Sequence, residues 1–284
     1  MEVRASKGSI NDFAAIIMPF EDENGLYPLC TKRSKSFLSI VNKPILEYQI
    51  EYLLNFKFNQ IAVVVKKDEY SAFERICTKF VGDANIIYLP FDDFENMNTF
   101  EILKKAAETY FNNNFLVLDG NLLTDFDVNL LFEFHILRNS KFTAVFNQPK
   151  QENKIKDGSK TNIKCSEIIA VPKYEQEHIV FSKFVDKNAK FEGIDIDKDV
   201  IEKHASLSVF SALKNINLYC VSSEFFSSAK TDLNGGKMAK SLIPLFLNLE
   251  NVDCHLFKIT DSEVVCRNIE NPQIFKETNF EFVF

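Results

Sequence analysis

From residue 14 onward the chain alternates short apolar runs of strand length with longer amphipathic stretches, a rhythm that βα units building a mostly parallel sheet produce. The strand candidates are Ala14–Met18 and residues 61–65, 86–89, 115–118 and 142–146, nearly all apolar, as strands covered on both faces must be. Helices are predicted between them. One opens at Asn42-Lys43-Pro44, where Ile45, Tyr48, Tyr52 and Phe56 repeat at four-residue spacing and predict the face that packs on the sheet. Another covers residues 69–80, with Ala72, Phe73, Ile76 and Phe80 apolar, and a third covers 99–111. A fourth spans Val128–Leu137, with Asp125 or Asp127 placed to accept hydrogen bonds from its first amides. Further on, 168–171, 179–185 and 217–221 read as strands, and 238–249 as a helix interrupted at Pro244.

At 284 residues, 46% hydrophobic, the chain is long enough for one large core, which we divide into a domain at 1–250 and a C-terminal extension or linker at 251–284. Twenty-nine Phe and no Trp, spread through the periodic segments, read as core filling and not as a base-stacking platform. The polar, lysine-rich stretch 148–164 cannot bury apolar area and predicts a solvated loop turning at Asp157-Gly158; the alternative is a basic docking site for acidic partners.

Forty acidic against thirty-three basic side chains, a net charge of -7, oppose phosphate attraction and exclude a primary, direct nucleic-acid role. The first twelve residues lack the apolar core of a secretory leader, and the apolar runs fall far short of a membrane span, so a cytoplasmic protein is expected. Cys30, Cys77, Cys165, Cys220, Cys254 and Cys266 are scattered, without a C-x-x-C pair. His135, His178, His204 and His255 likewise lack ligand-like spacing. Free thiols and ordinary core or surface histidines are expected, with no metal or cofactor. No fixed-period repeat is present, and eight glycines are too few for several coils of a left-handed hexapeptide β-helix.

Residues 14–48, AAIIMPFEDENGLYPLCTKRSKSFLSIVNKPILEY, carry the most informative pattern. Leu26, Pro28, Leu29, Thr31, Lys35, Asn42, Lys43, Pro44 and Tyr48 fall, without a gap, at the offsets of the N-terminal signature of sugar-1-phosphate nucleotidyltransferases, which this segment resembles. The resemblance implies a nucleotidyltransferase-like, Rossmann-like α/β fold: a mixed, mostly parallel sheet flanked by helices. It also implies a site, and there the sequence departs from the family.

Glu21 and Glu23 stand where the family's loop glycines let backbone amides approach a triphosphate, and two carboxylates would repel that ligand. Gly25 stands at the loop arginine, and neither Lys32 nor Arg33 occupies that fixed position. Lys35 matches the signature lysine but lies between serines instead of prolines. Asn121 stands at the Mg²⁺-binding aspartate, a neutral oxygen where a hard cation prefers a carboxylate; Asp119, two residues earlier on the same strand face, either compensates or serves the turn. Asn98-Thr99-Phe100 replaces a Gly-Thr-Ala turn that accommodates the base, so Phe100 is either a plug or ordinary helix packing. Glu21, Glu23, Gly25, Lys35, Asn98 and Asn121 thus outline a degenerate pocket, with no catalytic residue expected.

Among non-catalytic relatives, the chain resembles the gamma subunits of eukaryotic translation initiation factor 2B, through Asn121-Leu122-Leu123-Thr124-Asp125, Asn217-Leu218-Tyr219-Cys220 and Ser241-Leu242-Ile243-Pro244-Leu245. The related epsilon subunits fit less well at Asn42-Lys43-Pro44 and Thr124-Asp125. The resemblance implies a regulatory subunit in a hetero-oligomer, paired with an epsilon-like subunit of the exchange factor and, through it, with initiation factor 2. It also implies a following left-handed β-helix domain, expected here to be absent beyond residues 279–282. Two alternatives are an active enzyme making NDP-sugars with Lys35 and Asp119 in modified roles, and a module that binds a sugar nucleotide without reacting.

Overall fold

The computed structural model describes residues 14–20, 26–31, 33–90, 99–111, 114–148, 167–184, 193–228, 240–249, 252–261 and 263–281. In chain order the elements are β1 (Ala14–Met18), β2 (Ser39–Ile40), β3 (Lys43–Pro44), α1 (Ile45–Asn55), β4 (Gln60–Val65), α2 (Tyr70–Cys77), β5 (Asn85–Pro90), α3 (Thr99–Tyr110), β6 (Phe115–Asp119) and β7 (Leu122–Thr124). They continue with α4 (Val128–Leu137), β8 (Phe142–Asn147), β9 (Glu167–Pro172), β10 (Phe181–Phe184), α5 (Lys198–Lys203), β11 (Leu207–Phe210), β12 (Lys214–Val221), α6 (Ser223–Ser228), α7 (Ile243–Leu247), β13 (Cys254–Ile259), β14 (Cys266–Asn268) and α8 (Pro272–Glu281).

A seven-stranded sheet in the order β13-β8-β12-β6-β1-β4-β5 forms the centre. β1 runs parallel to β4 and β6, β4 to β5, and β13 to β8; only β12 is antiparallel to its neighbours β6 and β8. The mixed, mostly parallel sheet expected from the sequence is therefore present. Ala14, Ile16 and Met18 of β1 pack on one side with α3, α6 and α7, whereas Ala15 and Ile17 pack on the other with α1, α2 and α4. Both faces are covered, which is why these strands carry no polar alternation. A three-stranded antiparallel sheet, β10-β9-β11, and the small pair β14-β7 complete the layers.

Several expectations are corrected. The face of α1 buried deepest is Leu46, Gln49, Ile50 and Leu53, while Tyr48, Tyr52 and Phe56 stay half-buried at its flank. The four-residue repeat overlooked this face because Gln49 interrupts its apolar run. Residues 69–80 are α2 flanked by two 3₁₀ turns, Lys67–Glu69 and Thr78–Phe80. Pro44 is the N-cap of α1 and belongs to β3. Pro244 lies in the first turn of α7 and starts that helix, where a missing amide costs nothing, instead of interrupting one. The stretch 251–284, expected as an extension or linker, supplies β13, an edge strand of the central sheet paired with β8, and β14, paired with β7. The loop at 148–164 lies, apart from Gln148, outside the described residues.

At α4 the expected cap is present: the Asp127 carboxylate accepts from the amide of Asn129 at 3.0 Å, and Asp125 instead accepts from the amide of Val265 at 2.7 Å. Cys30, Cys77, Cys220, Cys254 and Cys266 are free thiols, and burial pushes the Cys77 thiol up to about 12. Among the described residues no helix is long and apolar enough to cross a membrane.

Candidate functional site

β1 and β6 run parallel with Met18 opposite Asp119, so both strands end at the same edge of the sheet. Crevices at the carboxyl ends of parallel strands are where open α/β sheets hold ligands. The Gly120 amide donates to the Met18 carbonyl at 2.9 Å, and the chain turns through Gly120 and Asn121 into β7. A Cβ on Gly120 would meet Ser36 Oγ at 2.3 Å. Absence of a side chain there lets the 3₁₀ turn Lys35–Phe37 seat against the Asp119 turn. Ser34 fixes the start of this turn, donating from its backbone amide and its hydroxyl to the two carboxylate oxygens of Glu69.

Asp119 is 5% exposed. Burial pushes its carboxyl up to about 7, against a hydrogen bond from Asn217 and the field of Lys35, which both favour the charged form. Lys35 is lowered by its own burial and raised again by Asp119 and Glu270. The signature lysine and the turn aspartate are therefore electrostatic neighbours.

The Asp119 carboxylate accepts from Asn217 Nδ2 at 3.2 Å. Asn217 reaches it from a register shift in β12, with a backbone φ of 53° that asparagine adopts more readily than most residues. Beyond Asn217 the contacts continue inward. The Tyr219 hydroxyl donates to Asn217 Oδ1 at 2.6 Å, and Asn215 Nδ2 donates to Tyr219 at 3.0 Å and to Glu167 at 2.7 Å. Ser182 donates to the other Glu167 oxygen at 2.5 Å. Burial raises both Tyr219 and Glu167, so the phenol keeps its proton for donation. A polar chain thus ties Asp119 to the three-stranded sheet.

Asn121 is 3% exposed, and its Oδ1 is buried without a hydrogen-bond partner among the described residues. Its carbonyl accepts from the Ile269 amide at 3.0 Å, which brings the segment after β14 over the turn and Glu270 into the electrostatic reach of Lys35 and Asp119. Magnesium fits this set poorly. Of the carboxylates near it, Asp119 is engaged by Asn217, and the oxygen at the position the resemblance assigns to the metal is a carboxamide. Among the described residues no group of three His, Cys, Asp or Glu side chains is placed to hold a metal.

Thr99 and Phe100 are fully buried at the start of α3. Phe100 packs against Phe226 at 5.2 Å, Phe246 at 6.1 Å and Phe225 at 6.2 Å between ring centroids, so of its two expected roles the structure describes helix packing in an aromatic core. Glu21, Glu23, Gly25, Lys32 and Asn98 lie outside the described residues. Of the sequence-predicted positions the structure brings together Lys35, Asp119 and Asn121. Sequence reasoning missed Ser36, Gln49, Asn217 and Glu270 as their neighbours; Asn215 and Asn217, two residues apart in a mostly apolar strand, were a visible signal.

Comparison with known proteins bears on the fold. A family model described as Nucleotidyl transferase matches residues 24–158. The translation initiation factor eIF2B subunit gamma of Dictyostelium discoideum is 22% identical over 225 residues, covering 74% of this chain and 50% of its own length, so the chain spans about half of that curated relative. Among solved structures, HddC from Yersinia pseudotuberculosis, complexed with GMP-PN, has a TM-score of 0.63 at 13% identity, covering 95% of this chain and 99% of the other. A Bacillus anthracis protein provisionally named glucose-1-phosphate thymidylyltransferase, in complex with a sucrose, has a TM-score of 0.66 at 12% identity, covering 95% and 94%. At such identities the two structures speak to the fold. The sheet order, the matched segment and these likenesses together identify a nucleotidyltransferase-like, Rossmann-like α/β domain with weak similarity to a translation initiation factor 2B gamma subunit.

Proposed function

We propose that this chain is a non-catalytic relative of the nucleotidyltransferases that acts by protein–protein binding, as a regulatory subunit of the guanine-nucleotide exchange factor complex for translation initiation factor 2. Its partners in this reading are an epsilon-like subunit and, through it, initiation factor 2, in the cytoplasm. The similarity to a gamma subunit supports the partner class. The observation that carries the loss of catalysis is the Asp119–Asn121 turn. A carboxamide stands at the position the resemblance assigns to the metal ligand, and the neighbouring carboxyl is held by Asn217. Phosphoryl-group chemistry depends on positioned cations and a charged metal ligand, and this turn offers a poor one.

Affinity purification from native extract is expected to recover an epsilon-like chain. A monomer without an initiation-factor partner would remove the proposal. A competing reading, an active sugar-1-phosphate nucleotidyltransferase, draws on Lys35 lying in the field of Asp119. Pyrophosphate release with Mg²⁺, NTP and sugar 1-phosphate decides between them: no turnover is expected, and turnover abolished by Lys35→Ala would establish the enzyme.

A further inference from the structure

A half-open cavity of about 230 Å³ lies beside α1, with Leu118, Leu122, Leu123, Val265, Tyr48 and Tyr52 in its lining. These residues come from α1, β6, β7 and the approach to β14. Neither Asp119 nor Asn121 lines it, so its chemistry is separate from that of the turn.

Most polar groups of the lining are already engaged. The Tyr48 hydroxyl donates to the Ile40 carbonyl at 3.1 Å, and the Tyr52 hydroxyl to the Phe126 carbonyl at 2.8 Å. Thr124 Oγ1 accepts from the Phe126 amide at 3.1 Å and lies 3.3 Å from Cys266 Sγ. Gln49 donates from Nε2 to the Asp119 and Leu122 carbonyls, and its Oε1 is buried out of an occupant's reach.

Asp125 differs from these groups in being exposed. Its amide donates to the Val265 carbonyl at 3.3 Å, and its Oδ1 accepts from the Val265 amide at 2.7 Å. Both residues line the cavity, so this pairing sets the carboxylate at the rim. A carboxylate offers about four acceptor positions, and the Val265 amide takes one.

The field at this rim has one sign. Tyr52 is kept protonated first by its burial and then by Cys266, Asp127 and Asp125, so both aspartates lie within electrostatic reach of its hydroxyl. Lys43 stands 4.2 Å over the Tyr48 ring, but its ammonium is paired with Glu51. Lys214, which acts on Cys266, is paired with Glu270 at 3.7 Å. No Lys, Arg or His is among the lining residues. An anion is repelled from such a mouth, and a neutral apolar molecule fills the walls without using the carboxylate. A cation with an apolar body uses both.

We propose that this cavity binds a small amphiphilic cation, an arylalkyl amine, with its ring among Leu118, Leu122 and Val265 and its ammonium donating to the Asp125 carboxylate. An apolar cavity of ~150 Å³ already holds benzene, so the volume here admits a phenyl ring with a short chain.

The probes are 2-phenylethylamine, a cation at neutral pH, 2-phenylethanol, its neutral counterpart, and phenylacetate, an anion. Methyl NMR of the whole chain is expected to show saturable shifts at Leu122 and Val265 with the amine, and NOEs from its ring to those methyl groups. Because Asp125 is exposed, the amine is expected to bind only about threefold more tightly than the alcohol, with phenylacetate weakest. That preference is expected to vanish in Asp125→Asn, whose side-chain oxygen still accepts from Val265, while the alcohol binds as before. Val265→Phe fills the cavity and is expected to weaken amine and alcohol alike by about tenfold while circular dichroism stays native. Absence of saturation would mean that the space holds solvent alone and would overturn the site. Shifts and NOEs at other methyl groups, or binding unchanged in folded Val265→Phe, would place the ligand elsewhere and overturn it equally. An amine preference that survives Asp125→Asn, or phenylacetate binding as well as the amine, would overturn the selection of a cation.

Discussion

Asp119 shows how burial sets the state of a single side chain. Its carboxyl is pushed up to about 7 from an ordinary value of 3.8, so between those limits the folded chain holds a proton that the unfolded chain releases. The associated stability is fully present below the unfolded pKa and is lost as pH rises through about 7. Asp119→Asn, neutral at every pH, is expected to unfold at higher denaturant than wild type at pH 8, by roughly 4 kcal/mol at most, and to converge with it near pH 4. Chemical denaturation at the two pH values checks this. Gly120 makes a different demand, of space: a Cβ would lie 2.3 Å from Ser36 Oγ. Gly120→Ala is expected to cost about 1–3 kcal/mol, and Ser36→Ala in the same chain to return most of it, a coupling that a double-mutant cycle measures.

Among the elements, the C-terminal strands carry more than their position in the sequence suggests. β13 closes one edge of the central sheet, with Cys254 and Leu256 fully buried or nearly so, and the segment after β14 donates from Ile269 to the Asn121 carbonyl. Residues 266–270 therefore belong to the site as well as to the fold. A chain ending at residue 251 exposes β8 as a long apolar edge and uncovers β7, so cooperative unfolding is expected to be lost, as followed by circular dichroism and size exclusion. α7 acts by a different route, stacking Phe246 on Phe142 at 4.2 Å between ring centroids and closing the aromatic cluster around Phe100. Those rings fill the layer under α3, while Phe37, Phe58, Phe73, Phe80, Phe126 and Phe132 fill the opposite face of the sheet.

At the scale of the whole molecule, a net charge of -7 and a turn built from Asp119 and Asn121 work against a triphosphate with its metal. Thermal unfolding with Mg²⁺ and any NTP in millimolar excess is expected to leave the midpoint unmoved. A ligand present at ~100 times its dissociation constant would add about 2.7 kcal/mol, readily seen by calorimetry. Such a shift would count against the proposed non-catalytic role.

The amino-acid order alone determined the alternation that makes a helix-flanked, mostly parallel sheet, because continuous apolar runs and 3.6-residue spacing are local properties of the chain. It also placed Lys35 and Asn121 at positions of one site, through offsets that survive without coordinates, and left Asp119 between a compensating role and a turn. Tertiary structure decided the rest. That Gln49 turns inward on α1, that Asn217 bends back to Asp119, and that β13 and β14 return to the core all depend on pairings between residues far apart in the chain. A side chain's desolvation, and so its charge and its need for a partner, is set by those distant neighbours and has no local signature.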